Sequence, residues 1–371
     1  MTDACDERGI IALLSESRRL PHGPAKVACI ERATRFADAI GNTSLAFTAR
    51  EALIEAAEFS GAPEKTLDAF AWCLAQCDRR PREFPVTRIL WQYKWAADNV
   101  YLFPNMSRDD ISRTLDDVER RFRAKRWGIR APRKLRLVVA MGMGDREAAR
   151  AHYRAWSATR RDTGSDCPAC DQQARTRFFQ LMNDHKRAIR AAEPLLDGRL
   201  ECAEEPHHTT CLAIRSFHRL GRLGEAVECY ERTRRRLRPT SSLYGELAIH
   251  IEFLTLTSNL RRAVGLLERH LAGALATWDF EMRFKFLAAA LLLIRALRRT
   301  RDGSMRLRLA GAMPISRPDG VVNLAEAEAW LEGECRVIAD AFDRRNGNSH
   351  YSSLVDEVRD LLALQQTVEL P

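Results

Sequence analysis

The stretch DCPACD, Asp166 to Asp171, holds two cysteines three positions apart, Cys167 and Cys170. A Cys-x-x-Cys pair fits three roles: a metal knuckle, a dithiol redox couple, or a pair of caps at a helix start. The redox form needs a strand ahead of its helix in a βαβ setting, and the flanking text reads as helix on both sides. Further along, Cys202 and His207 form a Cys-x4-His pair, with His208 adjacent and Cys211 one helical turn beyond. A third group, Trp91, Tyr93, Lys94 and Trp95, sets two indoles at i and i+4 on one helix face. Core packing is the plain reading of that face; an aromatic and lysine patch that anchors a partner is the sharper one. Glu246 and His250 share the i, i+4 spacing, with Glu252 nearby, and read best as a satisfied helical pair. Phosphate loops, dinucleotide fingerprints, nucleophile elbows and HExxH motifs are all missing from the text. MGMGDRE, from Met141, has glycines but no preceding strand.

The elements that must position these residues are helices. Apolar residues recur at three- and four-residue spacing, separated by short polar or glycine turns, and strand signals are scarce. Hydrophobic residues make up 46% of the 371, enough for a sizeable core. The apolar stretch Phe286 to Ile294 falls short of the roughly 18 to 20 residues that span a bilayer. The opening MTDACDERGI lacks the basic and apolar regions of a signal peptide, so a cytoplasmic protein without membrane contact is expected. Ten cysteines spread through such a chain imply reduced thiols rather than a disulfide framework. Cys29, Cys73, Cys77, Cys229 and Cys335 fall at apolar helical positions and are expected to be small core residues.

Four segments align: GDREAARAHYRAW from Gly144, NDHKRAIRAAEPL from Asn183, GRLGEAVECYERT from Gly221 and SNLRRAVGLLERH from Ser258. Each is a turn followed by a helix with a small residue five positions on, namely Ala149, Ala188, Ala226 and Ala263, spaced 39, 38 and 37 apart. GAPEKTLDAFAWC from Gly61 fits as well, with Thr66 in the small position. The pattern resembles the tetratricopeptide repeat (TPR), a helix-turn-helix unit. The best copy spans His207 to Pro239: Ile214 and Phe217 match the first helix, Gly221 and Leu223 the turn, and Ala226, Tyr230 and Pro239 the later positions. The resemblance covers roughly Phe47 to His270 and implies an all-α, right-handed α-solenoid of degenerate repeats with extra helices at both ends. An N-terminal helical cap over 1–46, repeats over 47–280 and a helical region over 281–371 follow, the last with a loop or short extended piece near 300–320. FPVTRILWQYKWAADNVYLFP, from Phe84 to Pro104, reads as one aromatic helix, and Ser107 with Asp110 as the capping box of the next.

With the small residue at the twentieth position of a unit, one repeat starts at Ala169 and the next at His207. Equivalent points of adjacent repeats are neighbours in a solenoid, so Cys167, Cys170, Cys202 and His207 should converge. Three thiolates and an imidazole suit structural Zn2+, and four protein ligands leave no position for a reacting water. His208 and Cys211 are alternates for the fourth ligand. The sequence is also similar to bacterial tetratricopeptide proteins that carry CPxC, a later C-x4-H and an upstream W-x-YKW. That likeness implies metal binding and no particular reaction.

The expected function is a non-enzymatic scaffold or receptor that takes a protein or peptide in its concave groove and is braced by zinc. A net charge of +9 leaves open a basic helical-repeat protein for RNA or DNA. The arginine clusters, Glu231 to Pro239 and Arg295 to Leu309, read as solvated faces, with no aromatic ladder beside them. A metal-dependent enzyme or accessory subunit is the third reading, and it needs an open metal position or a pocket of convergent polar groups.

Overall fold

The computed structural model describes residues 6–235, 243–300, 303–309, 314–315 and 319–371. Its elements are α1 (Glu7–Arg19), α2 (Pro24–Ala39), α3 (Thr43–Glu58), α4 (Pro63–Arg79), α5 (Gln92–Asn99) and α6 (Arg108–Ala124). Next come α7 (Arg130–Gly142), α8 (Arg146–Ser157), α9 (Pro168–Leu181), α10 (His185–Leu196), α11 (His207–Arg219) and α12 (Leu223–Arg234). The chain ends with α13 (Tyr244–Leu256), α14 (Leu260–Ala276), α15 (Phe280–Thr300), α16 (Leu324–Asn346) and α17 (His350–Leu361). One small antiparallel ribbon, β1 (Ser304–Arg306) with β2 (Val321–Asn323), pairs Met305 with Val322. The architecture is an all-α helical repeat solenoid.

The repeat rests on a recurring turn. Gly61, Gly144, Asn183, Gly221 and Ser258 all adopt left-handed backbone angles, with φ between 61° and 71°. Each ends one helix and turns the chain back on itself, a conformation that glycine and asparagine adopt at least cost. The next helix then starts within three residues, capped at Asp145 and Asp184 by side chains that accept from the N–H groups of Ala148 and Arg187. Five positions after each turn, Thr66, Ala149, Ala188, Ala226 and Ala263 are fully buried. A longer side chain there would hold the two helices of the unit apart. Pro239, the repeat-ending proline of the sequence comparison, lies outside the described residues.

Successive first helices α7, α9, α11, α13 and α15 pack on one another, and each second helix packs on its own first helix. α15 packs extensively on α13. The expected boundary at residue 47 falls inside α3. The expected helix over 84–104 is broken: a 3-10 turn at Val86–Arg88, the short α5, and another turn at Val100–Leu102. Pro85 restricts its start, and Pro104 holds Phe103 extended at φ −104° and ψ 112°.

Buried apolar side chains form two clusters, one from Ile10 to Phe178 and one from Ile189 to Leu370. The division falls between α9 and α10. The corner between α16 and α17 reaches back to the first half: Arg345 donates to the carbonyls of Tyr101, Phe103 and Met106, Asn348 to Met143 and the Tyr351 hydroxyl to Gly142. The five cysteines expected in the core, Cys29, Cys73, Cys77, Cys229 and Cys335, are all buried.

Candidate metal centre

α9 begins with Pro168 at its first position, where a missing N–H costs nothing. Cys167 precedes it with extended angles, φ −65° and ψ 159°, and its Sγ accepts from the Cys170 N–H at 3.4 Å. A cysteine thus takes the usual serine or aspartate capping place, and the motif lies in the first turn of the helix. The third thiol comes from the next repeat. The turn before α11 is closed by the Cys202 N–H donating to the Glu205 carbonyl at 3.1 Å, and α11 starts at His207. Cys202 Sγ lies 3.7 Å from Cys170 Sγ, across 32 residues of chain. The sulfurs of Cys167, Cys170 and Cys202 all lie within 4.8 Å of one another, and all three side chains are half-buried.

These spacings rule out a disulfide. A disulfide needs sulfurs about 2.05 Å apart. A tetrahedral metal with sulfur bonds of about 2.3 Å has S···S edges of roughly 3.8 Å. The Cys170–Cys202 separation of 3.7 Å excludes a disulfide and is compatible with the second, as it is with a thiol–thiol hydrogen bond. Burial opposes the Cys167 thiolate, but N–H groups of the first helical turn outweigh it and hold the pKa below the ordinary thiol value. Burial pushes Cys170 up, against the nearby Lys134 charge, and burial raises Cys202 as well. A cation at the centre of the three sulfurs would reverse that penalty, because metal ligation favours the thiolate outright.

The flanking aspartates anchor the motif. Asp166 accepts from Lys94 Nζ at 2.6 Å and Lys134 Nζ at 2.8 Å, while Lys134 also donates to the Cys170 carbonyl at 3.1 Å. Burial alone would raise the Asp166 pKa, but the two ammonium groups hold it well below the usual carboxylate range. Asp171 accepts from Arg130 at 2.9 Å and Arg161 at 2.7 Å. Asp162 accepts the Ile129 and Arg130 N–H groups at the start of α7, at 3.0 and 2.9 Å. The loop carrying Cys167 is therefore tied to α5 and α7 before any metal is considered.

The candidates for the fourth ligand separate. Among the described residues, the close cluster holds the three thiols and no histidine. His207 opens α11 five residues after Cys202, half-buried, with its ring 4.0 Å from that of His208. His208 is engaged elsewhere: its Nδ1 lies 2.5 Å from Glu246 Oε1. Burial would lower its pKa, but the Glu246 hydrogen bond and charge raise it, to about 9, which favours the protonated ring. Cys211 is buried against His250, Sγ to Nε2 3.8 Å, away from the cluster. Glu246 therefore pairs with His208 rather than with His250, whose Nε2 meets the Thr233 hydroxyl at 3.0 Å.

The aromatic quartet does not form one exposed face. Tyr93 is buried and donates to Asp117 at 2.7 Å. Lys94 is 5% exposed and bound to Asp166. Trp95 is half-buried, packed edge-on against Phe59 at 5.4 Å. Trp91, 39% exposed, is the one ring of the four open to a partner, and Lys94 Nζ sits 3.1 Å from its centroid. The two sequence motifs, W-x-YKW and CPxC, are thus one connected structure, joined by Lys94 and Asp166. Sequence reasoning missed Lys94 in this role, along with Lys134, Arg130 and Arg161. The signal available was the pair of aspartates bracketing the cysteines. No protein-family model matches the chain, and comparison with curated proteins yields no relative.

Proposed function

We propose that the protein is a non-enzymatic, TPR-like scaffold whose halves are clasped by a structural zinc ion, held by Cys167, Cys170, Cys202 and His207. The observation that carries this reading is the place of the thiol cluster. Cys167 caps and Cys170 lies in the first turn of α9, whose Ala174 and Phe178 lie in the first hydrophobic cluster, and Cys202 leads into α11, whose buried apolar residues lie in the second. A metal bond there would join adjacent repeats whose buried apolar side chains belong to different clusters. Four protein ligands would complete the shell and leave no site for a reacting water. In this reading the protein or peptide docks in the groove expected of a helical solenoid, with Trp91, exposed beside Lys94 ahead of α5, as its aromatic anchor.

Two variants test the reading. Zinc per chain should be close to one in the wild type and lost in Cys202→Ser. The copurifying protein or peptide should be lost in Trp91→Ala while zinc stays bound. Full folding stability without metal would end the clasp proposal, and unchanged partner recovery in Trp91→Ala would end the anchor proposal.

A further inference from the structure

The arginine run at the end of α15 lines a cleft of about 390 Å³, together with Glu328 of α16, Arg359 of α17 and Leu362. Arg295, Arg298 and Arg299 supply one wall. Arg295 is 6% exposed; its Nε donates to Glu328 at 2.9 Å and its Nη2 to Glu332 at 2.7 Å. Its Nη1 is shut off from solvent and has no hydrogen-bond partner. Arg298 shares Glu328, and Arg359 shares Glu332 at 3.4 Å. Arg336 also pairs with Glu332, at 3.5 Å, and with Asp356 at 2.5 Å. Arg299 is exposed and has no ion pair among the described residues.

This is more than helix-end chemistry. Basic residues in a last turn offset the helix dipole, which accounts for Arg298 and Arg299. It does not account for a buried arginine one turn earlier, or for Arg359 arriving from another helix. Four guanidinium groups (Arg295, Arg298, Arg299, Arg359) and one carboxylate (Glu328) line the cleft, with Glu332 behind it held by Arg295, Arg336 and Arg359, so the lining carries excess positive charge. Arginine forks match the oxygens of phosphate. A volume in the range of small-ligand sites, roughly 300 to 1,000 Å³, suits a compact anion better than a nucleic-acid backbone, which needs an extended track.

We propose that this cleft binds a small phosphorylated anion. Arg298, Arg299 and Arg359 grip the phosphate, and Arg295 holds Glu328 and Glu332 in place behind them. The test is titration calorimetry on the full chain at constant ionic strength, with inorganic phosphate and ribose 5-phosphate as probes and a labelled single-stranded DNA in parallel. Saturable one-to-one binding is expected. Tighter binding of ribose 5-phosphate marks an organic ligand, and equal binding marks the free anion. Arg299→Ala and Arg359→Ala, both exposed, should each weaken binding about tenfold, ~1.4 kcal/mol, with thermal melting unchanged. The proposal is overturned by absence of saturable binding, by variants that bind like the wild type, or by DNA binding that ribose 5-phosphate does not displace.

Discussion

Replacing Asp166 with asparagine tests how the CPxC loop is held. The change keeps the side chain's size and removes one charge. It leaves two ammonium groups, Lys94 and Lys134, whose side chains are 5% and 12% exposed, without their shared carboxylate. Lys94 would retain the Gly164 carbonyl at 3.2 Å, and Lys134 the Cys170 carbonyl at 3.1 Å and Asp171 at 3.8 Å. Removing one partner of a buried ion pair costs about 3 to 5 kcal/mol. Lys134 keeps a second carboxylate, so the lower end of that range, ~3 kcal/mol, is expected for Asp166→Asn. Urea unfolding followed by tryptophan emission is the assay, because Trp91 stacks on Lys94 and should report local loosening. Lys65→Met, which breaks the half-exposed Lys65–Glu31 pair, is the control and should cost no more than ~1 kcal/mol. If Asp166→Asn costs no more than this control, the inferred role of Asp166 is wrong.

Other consequences can be checked alongside. Ala226→Leu inserts volume where α11 and α12 cross and should cost ~1 to 3 kcal/mol by denaturation. Gly224→Ala, on the exposed side of α12 where an added Cβ meets nothing within 4 Å, should stabilise by ~0.5 to 1 kcal/mol. Burial raises the carboxyl groups of Asp98, Asp279 and Glu58 to about 6, about 7 and about 8. Their folded pKa values lie above the unfolded ones, so their stabilising effect is complete only below the unfolded carboxyl range, declines as pH rises above it, and is gone once pH passes the folded values of about 6, 7 and 8. Asp98→Asn should therefore gain on the wild type as pH rises from about 4 to about 6, and hold that advantage at pH 8. Lower stability of the variant at pH 8 than at pH 5, relative to wild type, would reverse that sign.

Much of the fold was legible because repeats write themselves into sequence at turns and crossings. Gly61, Gly144, Asn183 and Gly221 announce left-handed turns by residue type, whereas Ser258 adopts the same angle without any such signal. The buried alanines were legible because close helix crossings admit little else. The three thiols could be brought together from the repeat register, since adjacent units repeat the same geometry. The fourth ligand could not, because His207 and His208 differ only in which way each ring points. Glu246, 38 residues beyond His208, decides that for one of them. Of the two readings of the Trp91–Trp95 face, the plain one of packing suits Lys94, which is buried against Asp166. Its contact with Asp166 spans 72 residues and crosses between α5 and an irregular loop, where no repeat register applies. The division of the core near α9 was also invisible, because apolar periodicity reports that a face is buried and not which neighbours bury it.

The central claim is that a tetrahedral metal joins two repeats through three sulfurs and one nitrogen. X-ray absorption at the zinc edge, on protein purified under reducing conditions, tests it most directly. The account predicts one zinc per chain with three sulfur ligands near 2.3 Å and one nitrogen near 2.0 Å. A folded, metal-free protein, or a zinc shell without the three sulfurs, would contradict it.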